Sequence, residues 1–467
     1  MRIQSVFAAA LVTTLVIALV GCASITTRDE AASTARGAVP DAPFDWAAVQ
    51  QSVGDVQVGW IDAFNDPLLN QLVREAQANN IDLRAAAANV DRSVALARQA
   101  GAALKPQVNL LAGGAEAGVL DSPQGATSSG TVNTSLQIDW EADIWGRIRA
   151  GQQAAVASAE AARADYTFSQ YSLAAGVARG YFVAVESGQQ EVVAQQTVDT
   201  LTETVRIVQA QYDNGSASSQ DLALAKSDLA SAEDTLTTAA GGKRDALRAL
   251  EILLGRYPSA DVAVRKELPA IPAPPPAGVP SAILERRPDI IAAERTVAAA
   301  FNSLDAAKAA RLPSLSLTAD IGGSSEELSN LFDPVNVAWT LASNLLAPLY
   351  DGGQRQAQVE VSTAEQQQAV AAYASAAQNA FAEVEGALDS GVVLQNRVAS
   401  LQQAADQAAG AYRIAALRYE EGEIALIDVL SVQQRVFTTR SNLVNVQRQL
   451  LEQRVILNLA LGGDWAT

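Results

Sequence analysis

The chain has 467 residues and a formal net charge of −18, and 49% of its residues are hydrophobic although only 5% are aromatic. It contains no histidine, which excludes His-based metal sites and His general-base catalysis. The acidic balance argues against nucleic acid as a partner, and it would suit either the lining of a water-filled passage or simple solubility.

Residues 1–21 have the pattern of a secretory signal peptide, because Arg2 precedes an apolar stretch that is too short to span a membrane. The stretch ends in Leu19-Val20-Gly21-Cys22, which resembles the bacterial lipobox. Cleavage before Cys22, the only cysteine, would leave it as a lipid-carrying N-terminus that anchors the protein without spanning the membrane. An ordinary signal peptide with an incidental cysteine is the alternative. We expect residues 22–59 to form an extended linker behind the lipid.

The first half of the folded part is predicted at residues 60–255. Asp66-Pro67 is a helix start signal with proline at the first helical position, and this helix is predicted to end at about Gln77. After a break at Asn79-Asn80, a second helix is predicted from about Asp82 to Leu104, before Pro106. Two strands follow at about residues 107–118 and 130–141. The second strand alternates between apolar and polar residues, which places the two kinds of side chain on opposite faces.

A very long helix is predicted from Arg147 to Asn214, about 100 Å at 1.5 Å per residue. Gly215 marks a tight turn, because glycine accepts positive φ without strain. A second helix then extends to Leu254, and its leucines follow the seven-residue spacing of coiled coils.

A proline-rich stretch, residues 256–280, separates this half from the next and predicts a polyproline-type connector. A ligand for a proline-recognition domain is the alternative. The order of elements then recurs in residues 281–467, with strands at about residues 314–322 and 335–345. Landmarks keep one constant offset of 207 in residue number, as in Gly146 and Gly353, Gly215 and Gly422, and Gly255 and Gly462. The sequence therefore predicts two copies of helix–strand–strand–long helix–turn–long helix.

The four strands, each about ten residues long with one apolar face, match transmembrane barrel strands in length. A small soluble sheet alternates in the same way, but helices of this length leave no compact core to cover one. Four strands cannot close a barrel, and an open edge is not tolerated in lipid, so several chains must pool their strands. The strands thus predict a membrane β-barrel shared between chains, and the long helices with their narrow apolar stripes must also find neighbours, so both parts predict an oligomer. Trp140, Trp145 and Trp339 are candidates for an interfacial aromatic girdle, and Trp145 equally for a packed junction.

Five motifs lie in a fixed order along the chain: the lipobox at Cys22, Trp60…Phe64…Asp66-Pro67, Arg286-Arg287-Pro288-Asp289, Leu349-Tyr350-Asp351-Gly352-Gly353 and Arg418-Tyr419…Gly422…Asp428-Val429-Leu430. Together they resemble the outer membrane factor family of TolC-like channels, and most closely its lipoprotein (NodT) branch, which serves RND-type efflux pumps. The resemblance covers essentially the whole mature chain. It implies a homotrimer in which four strands per chain build a twelve-stranded outer membrane barrel, continued by a periplasmic α-helical barrel.

The resemblance also implies a function, the outer membrane channel of a tripartite efflux pump. Such a channel passively conducts substrates that it receives from a periplasmic adaptor protein and an inner-membrane transporter, here of RND type. We expect no enzymatic activity, no catalytic, cofactor-binding or metal-binding residues, and no attached group except covalent lipid, such as palmitate, at Cys22. A type I secretion channel of the same fold is one alternative. A periplasmic adaptor lipoprotein is another, against which the duplicated hairpin argues.

In that family the helical turns form the periplasmic tip, contact the adaptor and close the channel at rest. Asp428 matches the family's aperture aspartate and is the predicted gate, with Asp221, its counterpart in the first half, as a second candidate. Helix N-terminal capping is the alternative for Asp428. The two tyrosines of the turns are predicted either to latch neighbouring hairpins by hydrogen bonds or to seal the end of a coiled coil. The expected adaptor-contact and tip-turn residues are Tyr212, Gly215, Tyr419, Gly422, Val429 and Leu430.

Overall fold

The structure, a computed structural model, describes residues 26–43, 45–48, 59–119 and 127–464. The predicted signal peptide and Cys22 lie outside these residues. The chain divides into two compact units. The described part of the strand unit comprises residues 26–39, 89–119, 127–163 and 292–374. The described part of the helix unit comprises residues 40–43, 45–48, 59–88, 164–291 and 375–464.

Helices account for most of the described chain. In order they are α1 (Arg28–Gly37), α2 (Pro67–Asn79), α3 (Ile81–Ala102), α4 (Arg147–Asp213), α5 (Ser219–Leu253), α6 (Ile283–Arg286), α7 (Pro288–Ala309), α8 (Gln354–Glu420) and α9 (Leu426–Ala460). Short 3₁₀ turns occur at Trp60–Phe64, Pro280–Ala282, Leu328–Asn330 and Pro334–Asn336. Within the described residues, none of these helices combines the length and apolar character needed to cross a membrane.

Corresponding helices of the two halves have equal lengths and a constant spacing. The helices α4 and α8 each have 67 residues, α5 and α9 each have 35, and α3 and α7 each have 22. The starts of all three pairs are separated by the same offset that separates Gly215 from Gly422. The predicted ends of the long helices lie within one or two residues of the observed ends, because no proline falls inside them and a turn sequence follows each end.

The segment predicted to be an extended linker contains a helix, so that prediction is wrong for α1. Thr27 caps this helix: its Oγ1 accepts a hydrogen bond from Glu30 N at 3.3 Å, and Glu30 Oε2 accepts one from Thr27 N at 2.9 Å. This reciprocal capping satisfies two backbone donors that a helix start otherwise leaves unpaired. Arg36 at its other end pairs with Glu294 of α7 at 3.5 Å.

Four strands form one antiparallel sheet in the order β1 (Gln107–Val119), β2 (Thr127–Ala142), β3 (Ser314–Ser325) and β4 (Val337–Leu346). The number of strands and their positions along the chain were predicted, but the pairing of β2 with β3 was not, and β2 begins three residues before and β3 ends three residues after the predicted bounds. Thr127 pairs with Val119 and Ser325 with Val132, so the backbone ladder continues through polar residues. Cross-strand pairing, and not side-chain type, decides where these strands end.

One face of the sheet is an exposed apolar band. Its central row crosses all four strands through directly paired residues, Leu110, Leu136, Ile321 and Trp339. These side chains are 74%, 41%, 51% and 75% exposed. The neighbouring row on the opposite face is polar and consists of Asn109, Gln137, Asp320 and Thr340. The predicted alternation is therefore confirmed, and no described residue covers the apolar side.

Two of the predicted girdle tryptophans bind backbone at the junction of strands and helices. The Trp140 indole donates to Leu104 O at 3.0 Å, and the Trp145 indole donates to Pro313 O at 2.7 Å. These bonds favour the junction role for Trp145 and give Trp140 the same role. Trp339 remains exposed on the apolar band.

The helix unit is built around an aromatic cluster that explains the Trp60…Phe64…Asp66-Pro67 motif. Trp60 and Phe64 are buried, and Phe64 packs on Phe182 of α4 with ring centroids 5.1 Å apart. Asp66 Oδ1 accepts from the first amides of α2, while its Oδ2 accepts from Tyr181 Oη at 2.8 Å. The motif thus fixes the start of α2 against the middle of α4.

Candidate functional site at the helical turns

The two predicted turns have the same backbone geometry. Gly215 and Gly422 adopt φ of 73° and 74°, and each amide donates to the carbonyl three residues earlier at 2.9 Å, Tyr212 O or Tyr419 O. A Cβ at either glycine would meet nothing within 4 Å. Backbone conformation, and not lack of space, therefore requires glycine at both turns.

Asp221 is tied into a helix cap. Ser218 N and Ser218 Oγ donate to Asp221 Oδ2 at 3.1 and 2.7 Å, and Asp221 N donates to Ser218 Oγ at 3.1 Å. The serine hydroxyl and then the serine amide lower the pKa of Asp221. The carboxylate thus has a structural task at the start of α5.

The Asp428 carboxylate accepts fewer hydrogen bonds than the Asp221 carboxylate among the described residues. Within the described chain its Oδ2 accepts a single hydrogen bond, from Ala425 N at 3.3 Å, because Ala425 stands where the first turn has Ser218. The residue is exposed at the start of α9. The capping interaction that was the alternative for Asp428 therefore exists in the structure, and it leaves most of the carboxylate free to interact with other groups.

Tyr419 connects the two turns of one chain. Its Oη donates to Gln211 Oε1, at the end of α4, at 2.7 Å. Burial and the nearby Asp221 carboxylate raise the pKa of Tyr419, so the phenol stays protonated and can donate this bond. Tyr212, its counterpart, is 43% exposed, and its hydroxyl makes no hydrogen bond within the described chain. The two tyrosines are therefore not equivalent.

Val429 and Leu430 are only 4% and 6% exposed. Leu430 packs with Leu222 and Leu426 in an apolar cluster that joins α9 to the first hairpin. Neither residue offers a surface to a partner in this arrangement, so the prediction that they contact an adaptor does not fit their burial. Ile427, 55% exposed, is the apolar side chain that the start of α9 presents instead.

The sequence did not indicate Gln211 as a partner for Tyr419. The bond depends on the register between two hairpins whose residues are 208 positions apart, and no local pattern carries that information. Within the described ranges no group of three or more acidic or cysteine side chains could hold a metal ion.

A second contact of interest lies in the strand unit, near the predicted lipid site. Thr26 N donates to Asp305 Oδ2 at 2.7 Å. Asp305 belongs to the last turns of α7 and precedes the first residue of β3, Ser314, by nine positions. The beginning of the described chain is thus fixed close to where the sheet begins.

The chain is similar to known proteins in both its sequence and its fold. A family model described as outer membrane efflux protein matches residues 72–256 and again residues 279–463. The starts and the ends of the two matches are separated by the same offset that relates the paired helices.

Individual relatives match over nearly the whole length. The pyoverdine export outer membrane protein OpmQ of Pseudomonas aeruginosa is 31% identical over 436 residues, 91% of each chain. The cation efflux system protein CusC of Escherichia coli is 31% identical over 414 residues, 87% of this chain and 88% of its own. Among solved structures, the outer-membrane channel OprN superposes with a TM-score of 0.84 at 27% identity, covering 91% of this chain and 99% of its own.

Proposed function

The chain belongs to the outer membrane efflux protein family and is an outer membrane channel of an efflux system, and we propose that it works as a passive, gated conduit without chemistry of its own. The observation that carries this proposal is the exposed apolar band across a four-stranded sheet. Such a band needs lipid or protein to cover it, and the polar row behind it suits a water-filled lumen. The channel role also sets aside the periplasmic adaptor as an alternative.

The proposed assembly is a homotrimer with a twelve-stranded barrel. The sheet has two edges, β1 and β4, and neither pairs with another strand among the described residues. All ten residues of β4 are exposed. Backbone groups at such edges must be paired in lipid, and pairing β4 of one copy with β1 of the next would continue the sheet. Three copies give twelve strands, a number within the range of closed barrels.

The proposed architecture is a duplication. The equal helix lengths, the constant offset between paired helices and the two matches to the family model at that same offset support it. Each copy would contribute one strand pair and one long helical hairpin.

We propose that Cys22 carries the lipid anchor. Thr26 is only four residues further along and binds Asp305, near the start of the sheet. Four residues span at most about 14 Å when extended, so a lipid on Cys22 would begin within that distance of this contact. The anchor would therefore sit on the side of the strand unit where the chain approaches the barrel.

The proposed gate is at the helical turns, with Asp428 as its carboxylate. Its single long hydrogen bond within the described chain leaves the carboxylate available, and repetition around a three-fold axis would bring like charges together, which favours bound cations. The Tyr419–Gln211 bond would hold the closed arrangement within each chain. The proposed partners are a periplasmic adaptor and an inner-membrane transporter, of RND type. Two relatives that are each 31% identical to this chain are named for pyoverdine export and for cation efflux. We therefore propose that the adaptor and the transporter, and not the channel, determine the substrate.

Reconstitution into planar bilayers tests the proposal. Purified protein should migrate as a detergent-stable trimer and insert as pores with low conductance that rises in Asp428→Ala. Asp213→Ala, at the first turn and outside the proposed gate, is the matched control and should leave the conductance unchanged. A water-soluble monomer without conductance would refute the channel assembly. Equal conductance of Asp428→Ala and Asp213→Ala would refute Asp428 as the gate and would leave the channel assembly standing.

A further inference from the structure

A cavity of about 400 Å³ lies in the helix unit among α4, α5 and α9. This volume is within the range of small-molecule sites, roughly 300–1,000 Å³. Its apolar lining includes Leu201, Leu430 and Phe437. Nothing in the proposed passage of substrates through the channel uses it.

Gln433 lines this cavity and also a second one, of about 550 Å³, among α4, α8 and α9. The side chain is only 7% exposed, and neither Oε1 nor Nε2 has a hydrogen-bond partner within the described chain. Leaving a buried polar group unpaired costs about 1–3 kcal/mol, and buried amides are normally paired. A buried amide with both ends free beside a cavity indicates a place where a ligand's polar group can bind.

Asp228 of α5 lines the same cavity. It is half-buried and forms no hydrogen bond or ion pair in the part of the chain that the structure describes. The hydroxyls around the cavity differ in this respect. Thr197 donates to Val193 O at 2.9 Å, and Ser431 donates to Asp428 O at 2.8 Å. Gln434, also in the lining, donates to Thr438 Oγ1 at 3.5 Å. Among the described polar side chains of the lining, Asp228 and Gln433 are therefore the two that make no hydrogen bond.

We propose that this cavity binds an organic cation that carries a primary ammonium group on an aromatic body. The ammonium would donate to the Asp228 carboxylate and to Gln433 Oε1, which pairs both free groups with the three donors that an ammonium has. The aromatic body would fill the space against Leu201, Leu430 and Phe437, where burial of apolar surface contributes to binding.

The duplication does not repeat this site, which is built from α4 and α5 of the first hairpin and α9 of the second. In the duplication, the counterpart of Asp228 is Arg435, and the counterpart of Gln433 is Lys226. Both counterparts are basic and would repel an ammonium ion. The proposed site therefore occurs once in each chain, and the duplication provides no second copy of it.

Binding is tested on the full-length, detergent-solubilised protein by isothermal titration calorimetry with 1-naphthylmethylammonium, after subtraction of a titration into detergent alone. We expect saturable binding with one site per chain. The neutral 1-naphthylmethanol, which has the same aromatic body, should bind at least tenfold more weakly, a difference of about 1.4 kcal/mol.

The variants Asp228→Asn and Asp234→Asn form a matched pair. Both remove one negative charge from α5, but Asp234 is exposed and does not line the cavity. Asp228→Asn should weaken binding of the cation by about tenfold or more, and Asp234→Asn by less than about twofold. Gln433→Leu should weaken it by roughly threefold, and this variant should fold because it replaces an unpaired amide by an apolar group of similar size.

Absence of saturable binding would overturn the proposal, whether the cavity fails to accept the cation or a second copy of the chain fills it. Equal effects of the two aspartate variants would also overturn it, because they would assign the affinity to surface charge. The readout is binding and not conduction, so a negative result leaves the channel function standing.

Discussion

Asn80 and Arg287 occupy equivalent positions in the two halves of the chain and bind equivalent helix ends with different chemistry. Asn80 Nδ2 donates to Leu253 O, the last carbonyl of α5, at 3.0 Å. Arg287 Nη1 donates to Ala460 O, the last carbonyl of α9, at 3.2 Å. The end of α5 is thus capped by a neutral amide, whereas the end of α9 is capped by a buried guanidinium group.

This difference predicts unequal costs of mutation. Arg287 also pairs with Asp289 at 2.8 Å and with Glu383 at 2.6 Å, and its own side chain is only 5% exposed. Arg287→Met removes its hydrogen bonds to Ala460 O and to these two carboxylates, which are 28% and 54% exposed and keep part of their hydration. We therefore expect a loss of roughly 3 kcal/mol. Asn80→Ala should cost about 1–3 kcal/mol. Melting temperatures measured by tryptophan fluorescence should show the larger decrease for Arg287→Met and the smaller one for Asn80→Ala.

The control for that comparison is Arg206→Ala, which removes an exposed ion pair with Glu203 on α4. Exposed pairs of this kind contribute little to stability, so its melting temperature should equal that of the unmodified protein. A larger loss in Asn80→Ala than in Arg287→Met would contradict the expected ranking.

If the turns form the proposed gate, Tyr419→Phe should loosen its closed arrangement, because the substitution removes only the hydroxyl that binds Gln211. A net hydrogen bond is worth about 0.5–1.5 kcal/mol, so the open probability in planar bilayers should rise by roughly two- to tenfold. Tyr212→Phe is the control, since the Tyr212 hydroxyl makes no hydrogen bond within the described chain. If both variants open the channel equally, the bond to Gln211 does not hold it closed.

Stability at the first turn of α5 should depend on pH through Asp221. Its pKa in the folded protein lies below the ordinary value of 3.8 because the hydroxyl and amide of Ser218 favour the carboxylate. A lowered pKa means that the stabilisation is fully present above the unfolded value and is lost as pH falls through the folded value. Amide exchange of Leu222, corrected for intrinsic rates, should therefore accelerate as pH falls below about 4.

Asp221→Asn should remove most of that pH dependence, because an amide does not titrate in this range. Asp199→Asn, on α4 and outside the cap, should retain it. An unchanged pH profile in Asp221→Asn would show that another group controls the stability of this turn.

Leu341→Arg and Thr340→Arg place the same charge on neighbouring residues that face opposite sides of the sheet. Leu341 is 72% exposed on the apolar band, where a charge in lipid costs roughly 2–4 kcal/mol. Thr340 pairs with Asp320 on the polar face. We expect Leu341→Arg to reduce the yield of detergent-stable oligomer strongly and Thr340→Arg to leave it nearly unchanged. The opposite order would show that the apolar band does not face lipid.

The long helices could be predicted almost to the residue, because nothing interrupts the helical pattern between Arg147 and the turn at Gly215. The strand ends could not, since the pairing of Thr127 and Ser325 depends on neighbouring strands. The helix α1 was missed although its signal was present, a threonine followed three residues later by Glu30. Its small and polar composition had favoured an extended chain.

The candidate site at the helical turns was predicted only in part, because some of its features depend on local sequence and others on contacts between hairpins. Glycines at the turns and the aspartates after them carry a local pattern that a sequence displays directly. The Tyr419–Gln211 bond and the unpaired amide of Gln433 arise where separate hairpins meet. No spacing along the chain specifies such meetings, because they depend on how the helices pack.

The two edges of the sheet have a consequence for mixed populations of normal and damaged chains. A copy with an intact β1 edge and a blocked β4 edge can still pair with one neighbour through β1, but it cannot pair with the next copy through β4. In a ring that closes by such head-to-tail contacts, one damaged copy leaves the whole ring open. If half of the chains were damaged and three copies mixed at random, only about one ring in eight would close. A mutation at the β4 edge would therefore be dominant over the normal chain.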